Sequence, residues 1–159
     1  MGLECFQIPT DCAYVNEHTI PIITLASMLT DNNFSFNEIA RSVEKDNVIN
    51  DNNTVIEFRD SSWWKKQAIR EIEKVGISFC SIDAPSLPRS IIAMNGIVYL
   101  RLHGSQNWYA DIYSEKQLDK LLQQIKKAEV SRKAIYLNND HGMLSNGMYL
   151  LNKIQKNTK

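Results

Sequence analysis

Three short stretches hold most of the side chains able to do chemistry: Glu57-Phe58-Arg59, Arg101-Leu102-His103-Gly104 and Asn138-Asn139-Asp140. Each closes an apolar run, and Gln7 and Asp83 close two more. Arg59 and Arg101 offer planar forks that take a phosphate or a carboxylate bidentately; their alternative is to pair with Glu57 and Asp83. Glu57 and Asp83 in turn suit general acid and base work or metal ligation, or an ion-pair network with the two arginines. His103 is the side chain whose charge changes near neutrality, which makes it the third catalytic candidate; its alternative is a hydrogen bond to a loop. Trp63, Trp108, Tyr109 and Tyr113 suit stacking on a base or sugar; the alternative for Trp63 and Trp108 is to fill the space between helices and sheet. Asn138, Asn139, Asp140 and Gln7 complete a polar ligand-binding rim, against the alternative of helix capping and tight loops for the asparagines.

The three histidines have neither HxH nor HExxH spacing, and the three cysteines form no CxxC pair, so no metal centre is predicted. No glycine-rich phosphate loop and no Ser/His/Asp or Cys/His nucleophile pattern is legible. No cofactor is predicted, and the substrate and reaction stay open.

Positioning these groups requires strands that all end on one side. Leu3–Ile8, Thr54–Phe58, Ile77–Ile82, Ile97–Leu102 and Ala134–Leu137 are short, apolar and rich in strand formers. Helices are expected between them. One is capped by Thr19, carries Pro21 in its first turn and faces inward through Ile22, Ile23, Ala26 and Leu29. A second, capped by Ser61 or Ser62, uses Trp64, Ala68, Ile72 and Val75 and stops at Gly76. A third starts at Ser114 with Gln117 at capping-box spacing and carries Leu118, Leu121, Leu122 and Ile125. The last presents Leu144, Met148 and Leu151 on one side. Residues 84–95, with Pro85 and Pro88, read as a loop, and 31–53 as a polar, Asn-rich surface insertion in an otherwise single domain, 1–159.

Strand and helix thus alternate five times, which predicts an α/β fold with a parallel sheet. In such folds functional groups gather beyond the C-terminal ends of the strands, and here every strand delivers a polar or charged group to that rim.

Composition sets outer limits. The chain has 159 residues, 43% of them hydrophobic, enough for one domain with a core. Eighteen basic residues balance eighteen acidic ones, which argues against a general nucleic-acid binder. The balance is uneven along the chain: Met1–Ser62 holds ten Asp/Glu and three Lys/Arg, while Trp63–Lys159 holds eight and fifteen. That leaves either solvated helix faces or a weakly basic C-terminal surface for an anionic partner. The odd cysteine count and the lack of a leader or a long apolar span predict a cytoplasmic protein with no membrane association. Cys5 and Cys80 lie in apolar runs and read as core residues.

Several of these stretches resemble one family. Ile56-Glu57-Phe58-Arg59-Asp60-Ser61-Ser62-Trp63 is similar to the E-F-R-x-x-S-W signature of the YecE-like family, the domain of unknown function 72. Tyr99-Leu100-Arg101-Leu102-His103-Gly104, with Trp108-Tyr109 and Tyr113-Ser114 downstream, and Asn138-Asn139-Asp140-His141-Gly142 resemble two more of its stretches. Cys5-Phe6-Gln7-Ile8-Pro9 looks like its L-x-Q-L-P strand, and Asp83 stands where the family has an Asp after a short strand. Asp60 and Leu137 depart from the pattern, replacing a usual His and an aromatic. The resemblance implies a TIM-like barrel. A closed barrel takes eight strands and about 250 residues, so the expectation is a partial, open (β/α) barrel of five parallel strands, the last five units of the family fold. It also implies open sheet edges, and hence a complementary N-terminal half or a second copy as partner. What the rim would do is read in two ways: binding or hydrolysis of a phosphate-containing ligand such as a nucleotide or nucleic acid, or a non-catalytic or degenerate half-barrel.

Overall fold

A computed structural model describes residues 3–7, 22–25 and 55–156, with side chains from 55 onward. Strand β1 is Leu3–Gln7, β2 Ile22–Leu25, β3 Val55–Phe58, β4 Ser78–Asp83, β5 Ala93–Met94, β6 Ile97–Leu102 and β7 Arg132–Leu137. Helix α1 is Lys66–Lys74, α2 Glu115–Lys126 and α3 Met143–Lys156; single 3-10 turns at Ser61–Trp64 and Asp140–Gly142 precede α1 and α3.

The strands form one curled, open sheet in the order β1-β7-β6-β4-β3-β2, all parallel, with β5 paired antiparallel to β6. All five expected strands are present, but the sheet is mixed and larger than expected. Ile22–Leu25 is a strand paired with β3, not the first helix. Ile22, Ile23 and Thr24 are β-branched in succession, and χ1 stiffness favours a pleated strand for such a run. β1 lies against β7, with Gln7 level with Leu137.

The loop expected at 84–95 contains β5, because Asn95-Gly96 turns the chain into β6. Asn95 (φ 50°) and Gly96 (φ 76°) both take the left-handed conformation that a two-residue hairpin turn demands. Among the described residues no helix joins β4 to β6, so the alternation of strand and helix breaks there.

Period-2 alternation sorts the side chains into layers. Val55, Cys80, Ile82, Tyr99, Ala134 and Tyr136 pack together on one side of the sheet. On the other side, Val98, Leu100, Leu102, Ile135 and Leu137 meet Leu118, Leu122 and Ile125 of α2 and Leu150 of α3. Ile56, Phe58 and Phe79 meet Trp63, Ala68 and Ile72. Ser114 and Gln117 form the expected capping box at the start of α2. Asp60, rather than a serine, caps the turn before α1, accepting from Ser62 N at 2.9 Å.

Helix α3 turns a different face inward from the one its leucines suggest. Leu144, Met148 and Leu151 are exposed, whereas Asn146 and Leu150 are buried. The reason is Asn146, whose amide brackets the backbone of Tyr113: Oδ1 accepts from Tyr113 N at 3.0 Å, and Nδ2 donates to Tyr113 O at 2.8 Å. The asparagine fixes the rotation of the helix, and the apolar residues follow. The insertion read at 31–53 lies outside the described residues.

Candidate functional site

Glu57 is the hub at the C-terminal end of the sheet. It is fully buried, and both carboxylate oxygens are engaged. Arg59 Nε donates to Oε1 at 2.5 Å. Arg101 Nη1 donates to Oε2 at 2.6 Å. His103 Nε2 lies 3.2 Å from Oε2, and Cys80 Sγ points to the same oxygen at 3.9 Å. Glu57 lies in β3 and Arg59 just follows it, Cys80 is on β4, and Arg101 lies in β6 with His103 just after it. Their common parity along adjacent parallel strands turns all of them to one face.

Burial alone would raise the carboxyl pKa of Glu57. The His103 hydrogen bond and the charges of Arg101, His103 and Arg59 outweigh it and bring the pKa down to about 2. Glu57 is therefore an anion at neutral pH and a weak base. His103 is also fully buried, and burial holds its pKa below the usual histidine range, with Arg101 and Arg59 acting in the same sense against the pull of Glu57. Its second nitrogen, Nδ1, lies 3.1 Å from Asn138 Nδ2. With the amide nitrogen assigned there, Nδ1 accepts and a neutral ring carries its proton on Nε2, toward Glu57. Both imidazole nitrogens are then occupied. Burial, the largest influence, and the Glu57 charge push the Cys80 thiol well above its ordinary pKa, so it stays neutral.

The loop after β6 covers this cluster. Gly104 (φ 110°) starts it, and a Cβ there would lie 2.1 Å from Asn107 O. Tyr109 OH accepts from Arg59 Nη1 at 2.9 Å. The Trp108 ring lies 4.8 Å from the Arg59 guanidinium carbon, and Trp108 and Tyr109 both flank the His103 ring, at 5.6 Å and 5.4 Å between centroids. Asp111 ties the loop to itself by accepting from Gln106 N and Asn107 N. Tyr113 OH accepts from Gly104 N at 2.9 Å. Asn139 Nδ2 donates to Asp111 O and to Asn146 Oδ1, which links the loop to α3.

Of the residues singled out from the sequence, Glu57, Arg59, Arg101, His103, Trp108, Tyr109 and Asn138 come together. Asp83 does not join them. It follows Ile82 in β4, so its side chain faces the opposite way; Arg89 Nε pairs with it at 3.1 Å, and Ser105 Oγ donates to it at 3.1 Å. Both arginines consequently share Glu57, and no Glu57–Asp83 acid–base pair exists. Burial is the main influence raising the Asp83 pKa, opposed by Arg89 and Ser105.

Trp63 is buried and stacked on Phe58 at 4.1 Å between centroids, in the layer packed by α1. Tyr113 and Asn139 are buried as loop supports, while Asp140 is exposed in the turn before α3. The side chain of Gln7 lies outside the described residues. Arg89, Asp111 and Asn146 went unnoticed in the sequence. Only Asp111, an Asx residue shortly after a Gly turn, carried a local signal.

One feature of the cluster is unbalanced. Two guanidinium groups face one carboxylate, and Arg101 Nε is buried with no hydrogen-bond partner among the described residues. The arginine side chains are 22% and 16% exposed, so each still reaches solvent. Among the described residues no three His, Cys, Asp or Glu are grouped so as to hold a metal ion.

A curled, open α/β sheet with this rim defines the class, and the family follows from comparison. The model of the family "Protein of unknown function DUF72" matches residues 23–158, and the chain belongs to that family. Its fold is similar to that of a DUF72 family protein from Thermotoga maritima MSB8, at TM-score 0.67 and 19% identity over 85% of this chain and 58% of that one. It is likewise similar to a DUF72 family protein from Enterococcus faecalis V583, at TM-score 0.66 and 15% identity over 84% and 57%. The chain therefore spans under two thirds of the length of these relatives. No curated protein matches it in sequence. Among the described residues no helix is long and apolar enough to cross a membrane.

Proposed function

We propose that the mouth of the sheet binds an oxyanion borne by a phosphate-containing ligand, a nucleotide or a piece of nucleic acid among the candidates. The observation that carries this reading is the shared carboxylate: among the described residues Arg59 and Arg101 both lean on Glu57, so that two guanidinium groups face one carboxylate, and the buried Arg101 Nε has no acceptor. A buried donor without an acceptor is costly, and an oxyanion supplies one. Trp108, 36% exposed and stacked over Arg59, offers a flat face beside the charge.

Binding is favoured over hydrolysis. Glu57 has no free oxygen and a low pKa, and both nitrogens of His103 are used, so these two residues position the arginines rather than move protons. Titration with nucleotides, short oligonucleotides and inorganic phosphate, on wild type and Arg101→Ala, tests the reading. Binding that weakens at least tenfold in the variant supports it; no binding that depends on Arg101 removes it.

A second reading concerns the sheet itself. β1 and β2 end the strand order, each with a single neighbour among the described strands. Exposed strand edges pair with other chains, so a complementary half or a second copy of this chain is the proposed partner. Light scattering on a sizing column separates this from a monomer. A cytoplasmic location belongs with these proposals; the free, buried thiol of Cys80 is compatible with a reducing compartment.

A further inference from the structure

A recess lies on the helix side of the sheet, away from the Glu57 cluster. In a strand–helix unit the helix covers the sheet beside its strands, but β4 passes to β6 through β5 and its flanking turns, with no helix among the described residues. The structure leaves a cavity of about 170 Å³ there, beside α2. Ile91, Leu100 of β6 and Leu121 of α2 give it apolar walls, and Asp83, Arg89 and Lys120 are its charged lining residues. None of Glu57, Arg59, Arg101 and His103 lines it. Its volume slightly exceeds that of an apolar cavity of about 150 Å³ that takes up benzene. One polar atom in its wall is unsatisfied. Asp83 Oδ2 accepts from Ser105 Oγ at 3.1 Å. Asp83 Oδ1 is buried and accepts no hydrogen bond among the described residues, although Arg89 Nε stands 3.1 Å from it as an ion-pair partner.

We infer that this cavity binds a small uncharged ring that carries an amide-type N–H donor, with the N–H donated to Asp83 Oδ1. The site shares no residue with the oxyanion site proposed above and stands independently of it. A buried carboxylate oxygen without a hydrogen bond is an unmet acceptor, and a donor entering from the cavity satisfies it. Charge selects against the alternatives. An anionic ligand is set against Asp83, and a cationic one against Arg89 and Lys120. An uncharged ligand avoids both and gives up less hydration on entry. The walls supply the rest: Leu100 is buried, Ile91 and Leu121 are partly so, and a ring covers the apolar surface that they turn to the cavity.

The test compares four probes of similar size on the whole chain at pH 7. Benzamide is uncharged and has the donor. Acetophenone has nearly the same shape and keeps the carbonyl but lacks the N–H. Benzoate is an anion and benzylamine a cation. Dissociation constants are read by NMR from the δ1 methyl resonance of Ile91, assigned by its loss in Ile91→Val. Benzamide is expected to bind about tenfold or more tighter than each of the other three, since an unmade hydrogen bond to a buried charged group costs about that factor. Leu121→Trp, which fills the cavity from a partly exposed position, is expected to abolish the benzamide shift. Acetophenone binding as tightly as benzamide overturns the role of Asp83. Benzoate or benzylamine binding as tightly or tighter overturns the uncharged ligand. Benzamide that fails to bind, or that binds Leu121→Trp unchanged, overturns the site. The four-probe comparison uses the wild type alone, so it decides even where Leu121→Trp does not fold. All of these outcomes are separate from the Arg101→Ala titration that decides the oxyanion reading.

Discussion

Replacing Glu57 by Gln keeps the shape of the hub and removes its charge, and the structure sets the size of the response. The carboxyl pKa falls from about 4.5 to about 2 on folding. That difference of about 2.5 units, at about 1.36 kcal/mol per unit, amounts to about 3 kcal/mol of stability. The folded-state value is depressed, so the contribution is fully present above the unfolded pKa. It is lost as pH falls from about 5 to about 2, because the unfolded chain takes up the proton first. Urea melts followed by tryptophan fluorescence, at steps between pH 7 and pH 2, measure it. Wild type should lose about 3 kcal/mol over that window beyond the loss seen in Glu57→Gln, whose curve is flatter because the group is gone. At pH 7 the variant should be less stable by about 3 kcal/mol, since two arginines are left against an uncharged amide. Parallel pH profiles for the two proteins would refute the claim that Glu57 is an ionised hub.

Other perturbations probe the supports. Gly142→Ala places a Cβ 2.3 Å from Asn139 Nδ2 and 2.7 Å from Asp111 O. Backbone lies on one side of that clash, so a loss of about 2 kcal/mol or more is expected in the same melts. Asn146→Ala strips partners from the backbone N–H and C=O of Tyr113 and from Asn139, and should cost about 2–4 kcal/mol in urea melts. Trp108→Ala should change stability by under about 1 kcal/mol, because the ring is partly exposed and its stack on Arg59 is worth about that much, while weakening anion affinity in a titration. Met148→Lys, on the outward face of α3, should alter stability by no more than about 0.5 kcal/mol.

The hub was legible in the sequence to the extent that parity made it so. Glu57 with Arg59, and Arg101 with His103, are each two apart, so each pair shares a face, and a strand ending in such a pair reads as a rim. The same parity sends Asp83 away from Cys80 and Ile82, yet position at a strand end had grouped it with the others. The hairpin at β5 was announced by Asn95-Gly96 and was hidden among prolines. The rotation of α3 was not legible, because a buried asparagine bonded to a distant backbone outweighs the three leucine and methionine side chains that set its apparent apolar face. Ile22–Leu25 turned on competing signals: Pro21 and Thr19 suit a helix start, while consecutive β-branched residues suit a strand. The Tyr109 partner of Arg59 was also beyond reach, since it stands fifty positions away in sequence.

The claim that matters most is that an anion reaches the unpartnered Nε edge of Arg101. The side-chain Nε–Hε resonance of Arg101 reports on that edge directly. It is assigned by its loss in Arg101→Lys and followed while dimethyl phosphate, acetate and inorganic phosphate are each added to the wild type. A saturable shift of this resonance with at least one of them, larger than any shift of Arg59, is the predicted result. A resonance that stays in place at millimolar concentrations of all three contradicts the account and leaves Glu57 and its arginines as a structural ion-pair network.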